Sequence, residues 1–276
     1  MKKPGLVISR GLVYAFSSLS LLPLLFVLTG SLMGRMEFSR GYGASALSLP
    51  PLMPRVASMS QYIGLLFNTP GYLFAYWNSL FIGLSICLFQ FLTAIPCAYG
   101  LAKLRFRGRR ALLFLYVVMM MMPFQVTMLP VYQMVQKMGL YDSRWALIVP
   151  EIFAPFTVFF MAQSIKLLPG ELIEAVRLES SSPMTLYGHL IIPLCKPAII
   201  AGAVLSFVET WNMVEKPLIF IQDIRAYPLS MLLHQAGELA SPATLAGCML
   251  YMVPVLLIWM TYKTEICAGI SQLEIK

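Results

Sequence analysis

Charge is scarce in this sequence. Only 12% of its 276 residues are Asp, Glu, Lys or Arg, against about 25% in a soluble domain. Histidine is scarcer still. His189 and His234 are the two present, 45 positions apart, and no HExxH zinc-peptidase motif occurs. The five cysteines, at 87, 97, 195, 248 and 267, are odd in number and form no CxxC. They read as small apolar residues, with no disulfide and no metal site. No G-x-x-x-x-G-K-[ST] loop is present, so the chain by itself should not hydrolyse ATP. Gly41, Gly43 and Ala46 match G-x-G-x-x-A. No strand pattern precedes them and no helical pattern follows, so the match is a chance one. Carboxylates are also few inside apolar runs. Glu151 and Glu209 lie well inside, and Glu215 lies toward one end. They are too few for a proton relay. No inverted repeat is visible in the hydropathy.

What the chain has is apolar sequence. The AVILMFWYC set makes up 59% of it. A soluble globule could not hide that much, and a disordered chain would not carry it. The apolar residues come in blocks of span length. Residues 11–34, 56–102, 111–136 and 239–262 carry no charge, while 145–165 and 197–214 hold one glutamate each. A bilayer core takes about 20 helical residues. The 56–102 run begins with loop chemistry, Asn68-Thr69-Pro70-Gly71. The expected class is therefore all-α integral membrane. Six transmembrane helices are expected, near 11–33, 72–101, 111–136, 145–167, 197–221 and 241–262. Lys2, Lys3 and Arg10 before the first run resemble a signal peptide. The run is 24 residues long, longer than a signal core of about 7–15, so a retained first helix is expected.

The net charge of +8 invites a nucleic-acid reading, but its distribution opposes one. With six spans, Lys2, Lys3, Arg10, Lys103, Arg105, Arg107, Arg109, Arg110, Lys166, Arg177, Lys196, Lys263 and Lys276 share the side of the termini. The other side receives Arg35, Arg40, Arg55, Lys137, Arg144, Lys216 and Arg225. That 13-to-7 split places both termini in the cytoplasm by the positive-inside rule. The run KLRFRGRR at 103–110 reads as a cytoplasmic hairpin meeting anionic headgroups.

Between the fourth and fifth spans the chain spends about 30 residues where a short turn would do. Pro169 and Gly170 break the preceding helix. Glu171 and Glu174 then fall in a first turn, where the helix dipole favours acids. Leu172, Ala175 and Val176 form a narrow apolar face. Ser182 followed by Pro183 starts a second helix, and Pro193 and Pro197 punctuate entry to the fifth span. Such a surface helix can lie in lipid headgroups or dock a soluble partner.

The segment 168–196 resembles the EAA loop of ABC-importer permeases, in the form found in carbohydrate uptake of the maltose/multiple-sugar type. That pattern is E-A-A, three residues, G, nine residues, I-x-L-P. Glu174, Ala175 and Val176 occupy the triplet, Ser180 the glycine position, and Leu190, Ile192 and Pro193 the last positions, with no insertion. The turn 101–110, the stretch 123–150, and Trp211, Asn212, Pro217 and Leu218 also resemble the family. Three departures stand out: Val176 for the second alanine, Ser180 for glycine, and Glu179 and Ser181 where Asp and Ala are common. If a positive φ were needed at 180, serine would adopt it at a cost.

The resemblance implies a permease subunit that makes and breaks no bonds. It implies a second, related permease, two ATP-binding subunits carrying ATP and Mg, and an extracytoplasmic solute-binding protein. No cofactor is expected on the chain itself, and no nucleic acid is expected as partner. The location implied is the cytoplasmic membrane of a bacterium or archaeon. The loop would couple to an ATPase through Glu171, Glu174, Ala175, Val176, Arg177, Glu179, Ser180 and Pro193. For the solute, Glu209, Thr210, Trp211 and Asn212 are the candidates. They equally suit hydrogen bonding between helices. The run Met119–Met122 suits soft packing at a moving interface. A sugar is the expected cargo, with glycerol phosphate or a polyol as alternatives. A secondary transporter or a non-transport scaffold remains the other class.

Overall fold

The computed structural model describes residues 4–42, 53–180, 182–236 and 241–274, and within them not the side chains of 4–12, 15, 42 and 270–274. Gly43 and Ala46 of the chance glycine match lie outside the described residues, as does Ser181. No strand occurs among the described residues. The helices used below are α1 (Pro4–Ser31), α2 (Arg35–Tyr42), α3 (Pro70–Lys103), α4 (Arg109–Met121), α5 (Phe124–Lys137), α6 (Trp145–Glu151) and α7 (Pro155–Lys166). They continue with α8 (Gly170–Glu179), α9 (Pro183–Leu194), α10 (Lys196–Trp211), α11 (Glu215–Phe220), α12 (Leu229–Ala236) and α13 (Pro242–Glu274).

The helices break where proline chemistry dictates. Pro123 disfavours helical backbone at the residue before it, and Met122 is extended. The result is a 101° bend between α4 and α5. The expected third span, 111–136, is thus two helices. Cys195 departs from helical geometry between Pro193 and Pro197, and α9 meets α10 at 77°. The expected fifth span, 197–221, also divides. Its helix ends at Trp211, and α11 forms separately. Among the described residues, three stretches are long and apolar enough to cross a bilayer unaided: α3, Trp145–Lys166 and Pro242–Gly269 of α13. The bent pairs α4–α5 and α9–α10 qualify if each is one span, and Phe16–Ser31 of α1 is a shorter apolar helix.

The chain divides into two compact units. One comprises residues 1–74 and 232–253. Met33, Phe38 and Leu245 form its buried cluster. Gly30 lets the elements approach closely there, since a β-carbon would stand 2.5 Å from Leu245 Cδ1 and the leucine side chain would have to shift to admit it. Polar groups are paired within it. The Ser31 and Tyr62 hydroxyls lie 2.7 Å apart, and Tyr72 donates to the Gly247 carbonyl at 2.9 Å.

The other unit comprises 75–231 and 254–276. It holds two larger clusters. One gathers α3, α7, α8, α9 and α10 around Ala98, Met161, Ile165, Ile191 and Ala198. The second gathers Ile82, Ile86, Val135, Leu147, Ile148, Phe220 and Ile221. Between α6 and α7 the chain leaves the helix, and its free carbonyls must be satisfied in an apolar setting. Residues of α3 do this. Gln90 Nε2 donates to the Glu151 carbonyl at 2.8 Å, and Thr93 Oγ1 to that of Ile152 at 3.0 Å. Thr157 holds Gln90 by donating to its Oε1 at 3.2 Å.

Candidate functional sites: the loop helix and a methionine-lined cavity

The connection after α7 folds as its proline and glycine signals require, into α8 and then α9. Ser182 precedes Pro183 at the start of α9 but makes no side-chain cap bond. The middle turn of α9, Tyr187–Ile191, is a wider π turn.

The inward face of α8 differs from the expected one. Ile173, 5% exposed, enters the core, with Val176 packed beside it. Leu172 is 43% exposed, Leu178 is 90% exposed, and Ala175 is exposed too. The expected Leu172–Ala175–Val176 face therefore contributes only Val176 to packing. The reason is tertiary: α3 and α9 receive the Ile173 side of the helix. Glu171, Glu174 and Glu179 are exposed beside Leu172, Ala175 and Leu178. The outward surface is thus both acidic and apolar.

Two basic side chains fasten this loop to α3. Arg177 Nη2 donates to the Tyr99 hydroxyl at 2.7 Å, and its guanidinium lies 5.9 Å from the ring centroid of Tyr99. Tyr99 in turn meets Tyr187 of α9 edge to face at 5.7 Å. Lys103 Nζ donates to the Leu168 carbonyl at 2.5 Å and to that of Lys166 at 3.2 Å. These bonds cap the end of α7, where carbonyls lack helical partners.

Ser180, at the motif glycine position, has φ −147° and ψ 130°. This is extended backbone that any residue adopts, so serine carries no strain here. Its hydroxyl accepts from the Ser182 N–H at 3.2 Å and donates to Thr185 at 3.2 Å. Pro193 is exposed, just before the break at Cys195.

The second site is a cavity of about 780 Å³ between α4, α5, α6, α7, α10 and α11. Methionines 119, 120, 122, 134 and 138 line it, with Phe124, Phe153, Phe156 and Phe220. Glu151 and Lys216 form an ion pair in its wall, and both are half-buried. The Lys216 ammonium also lies 5.6 Å from the Phe124 ring centroid. Glu209 reaches the cavity too.

The four solute candidates separate. Glu209 lines the cavity, but Thr210 and Trp211 do not. Thr210 is buried and bonds back to the Ser206 and Phe207 carbonyls at 3.0 Å. Trp211, 1% exposed, stacks on Phe207 at 5.4 Å and meets Tyr76 edge to face at 5.8 Å. Asn212 Nδ2 donates to the Val208 carbonyl at 2.7 Å. Three of the four thus serve local structure.

Comparison with known proteins decides the family. The sequence profile described as binding-protein-dependent transport system inner membrane component matches residues 90–262. The chain belongs to this family. It is 30% identical over 204 residues to the arabinooligosaccharides transport system permease protein AraQ of Halalkalibacterium halodurans, covering 71% of this chain and 73% of that one. The diacetylchitobiose uptake system permease protein NgcG of Streptomyces coelicolor is 26% identical, covering 96% of this chain and 87% of its own. A solved bacterial ABC transporter chain, involved in import of the acidic polysaccharide alginate, shares the fold at TM-score 0.78 and 21% identity. That match covers 94% of this chain and 95% of the other.

The protein is thus a permease subunit of an ABC importer, a multi-pass membrane component of the carbohydrate-uptake group. It transports and does not catalyse, and ATP hydrolysis belongs to separate subunits. Sequence reasoning missed several residues that bond or pack at these two sites. Tyr99 and Lys103 had a signal. They lie four residues apart at the end of a span, one face of one helix. The partnership of Glu151 with Lys216 had none, because the two are 65 positions apart.

Proposed function

We propose that this permease imports a carbohydrate together with a second, related permease, two ATP-binding subunits carrying ATP and Mg, and a solute-binding protein outside the membrane. It crosses the membrane six times with both termini in the cytoplasm. The spans are α1, α3, the bent pair α4–α5, α6–α7, α10 and α13. The membrane is the cytoplasmic membrane of a bacterium or archaeon. Its loop 168–196 docks to an ATPase, and α8 is the coupling helix.

The observation that carries this reading is the division of α8 into two sides. Ile173 and Val176 pack it on the core and Arg177, though exposed, bonds it to α3, while Glu171, Leu172, Glu174, Ala175, Leu178 and Glu179 are exposed. A helix fastened on one side and open on the other works as a lever. A push on the outer side reaches α3 through the Arg177–Tyr99 contact and α7 through Lys103. α3 is also bonded to the broken α6–α7 wall of the cavity, so the push arrives where a solute would pass. ATPase closure would thereby alternate access to the path. Ser180 and Pro193 set the angles at which the loop leaves and re-enters the bundle.

Glu209, with the phenyl rings and methionines of the cavity, is the proposed solute wall. Aromatic faces suit the C–H faces of sugars, while the Glu209 carboxylate opposes an anionic solute. The test is Glu174→Lys in the importer reconstituted from two permeases, two ATP-binding subunits and the solute-binding protein. Nucleotide-dependent uptake should vanish while membrane insertion persists. Wild-type uptake by that variant, or a purified assembly with no ATPase, would defeat the coupling reading. Uptake of glycerol phosphate in preference to sugars would replace the carbohydrate.

A further inference from the structure

The turn between α3 and α4 is built unlike an idle loop. Residues 104–108 are all exposed, and so is Arg110. The turn is nevertheless ordered. Leu104 N–H donates to the Gly100 carbonyl at 3.2 Å, and Leu112 N–H to that of Gly108 at 2.9 Å. Gly108 has φ +89°, which glycine adopts without strain. Two of its basic residues are used in folding. Lys103 caps α7, and Arg109 Nη2 donates to the Ala102 carbonyl at 2.8 Å. The other three, Arg105, Arg107 and Arg110, form no ion pair among the described residues. Leu104 and Phe106, interleaved with them, are 43% and 46% exposed. Guanidinium groups bind phosphate through paired N–H donors. Apolar side chains beside them match the layer just beneath a phosphate plane.

We infer that the turn 104–110 is a binding site for the headgroup of an anionic phospholipid. Arg105, Arg107 and Arg110 hold its phosphate, and Leu104 and Phe106 enter the acyl boundary. The inference rests on the topology proposed above, in which α3 and α4 end at the cytoplasmic leaflet. That leaflet is the one where basic residues next to a span meet anionic lipid. An acidic protein surface would satisfy the arginines but would not require the interleaved leucine and phenylalanine.

The full chain, purified in neutral detergent, is offered equal amounts of phosphatidylglycerol and phosphatidylcholine, and retained lipid is counted by native mass spectrometry. Wild type should retain phosphatidylglycerol preferentially, and the preference should weaken as salt rises. Each of Arg105→Gln, Arg107→Gln and Arg110→Gln should cost roughly fivefold in that preference. The triple variant should abolish it. Leu104→Ser with Phe106→Ser should lower retention of both lipids and keep the preference. As a control of equal charge, Arg35→Gln, Arg40→Gln and Arg55→Gln together should leave it unchanged.

An equal loss in that control would mean diffuse net charge and overturn the site. So would a wild type without preference. A triple variant that keeps the lipid but no longer co-purifies with the ATPase would make the turn a protein-docking surface instead. Trypsin cleavage of the turn in sealed inside-out and right-side-out vesicles checks the topology separately, and a turn cut only in right-side-out vesicles would remove the ground on which the site stands.

Discussion

The loop helix and the cavity wall use charge in opposite ways, although both are bonded to α3. On α8 the acids are exposed, and the one basic group, Arg177, meets a tyrosine hydroxyl and ring rather than a carboxylate. In the cavity wall the two half-buried charges face each other, Glu151 with Lys216, among methionine and phenylalanine, while Glu209 is exposed. Charge left open on a helix surface at low energetic cost belongs in water or against a partner. Charge held in an apolar wall must be matched inside the chain. The first arrangement suits an interface that forms and dissolves, and the second suits a wall that must persist. Gln90 and Lys103, thirteen residues apart on α3, span the two regions, about 20 Å at the rise of an α-helix.

The largest effect expected inside the chain comes from breaking the matched pair. Lys216→Met leaves Glu151 without its cation and should cost about 2–3 kcal/mol, less than for a fully buried pair because both groups are partly exposed. Thermal unfolding in detergent should fall by at least about 5 °C. Adding Glu151→Gln should recover most of it. If Lys216→Met alone changes nothing, the pair does not hold the wall.

Weakening the fastening of the loop should act on coupling more than on stability. Tyr99→Phe keeps the ring under Arg177 and removes the hydroxyl, a loss of about 0.5–1.5 kcal/mol for a bond to an exposed side chain. ATPase docking should persist while solute moved per ATP falls. An equal fall in docking and transport would show that α8 is not a lever held by α3.

Ser180→Gly tests the motif position. It removes the acceptor for the Ser182 N–H and the bond to Thr185, and it adds backbone freedom. Assembly and transport should survive, with stability lower by about 1 kcal/mol. A gain in stability would show that glycine suits the bend better.

The smallest effect lies on the turn before α6. Asp142, at φ +59°, accepts from the Gln222 and Asp223 N–H groups at 2.6 and 2.8 Å. These bonds, that from Asp223 foremost, hold its carboxyl below its ordinary value of 3.8. A depressed carboxylate contributes stability that is fully present above the ordinary value and is lost as pH falls through the folded one. Asp142→Asn should flatten that acid-side loss, read as the difference between the two melting curves against pH. Identical curves would remove the role of Asp142.

Much of this was legible from one strand of letters. Uncharged runs mark membrane helices because no charge is tolerated cheaply in hydrocarbon, and α3 and α13 lie where the runs 72–101 and 241–262 put them. Pro169-Gly170 and Ser182-Pro183 divide α8 from its neighbours because proline and glycine act within a residue or two. What local chemistry could not supply was direction. Helical spacing allowed Leu172 or Ile173 to turn inward, and the choice fell to the neighbouring helices. Proline marked a break after Met122 without stating a bend of 101°. Thr210 and Trp211 have the chemistry of a solute site, yet they pack, because Tyr76 and Phe207 stand beside them.

The sequence alone therefore determined which segments are apolar, where helices stop, which loop carries the acids and the family pattern that loop follows. Each depends on residues near one another in the chain. Only the tertiary structure decided which side of α8 is open, that Glu151 finds Lys216, and that α3 bonds to both the loop and the cavity wall. Those facts join residues up to 78 positions apart, as Tyr99 and Arg177 are, and packing alone brings such residues together.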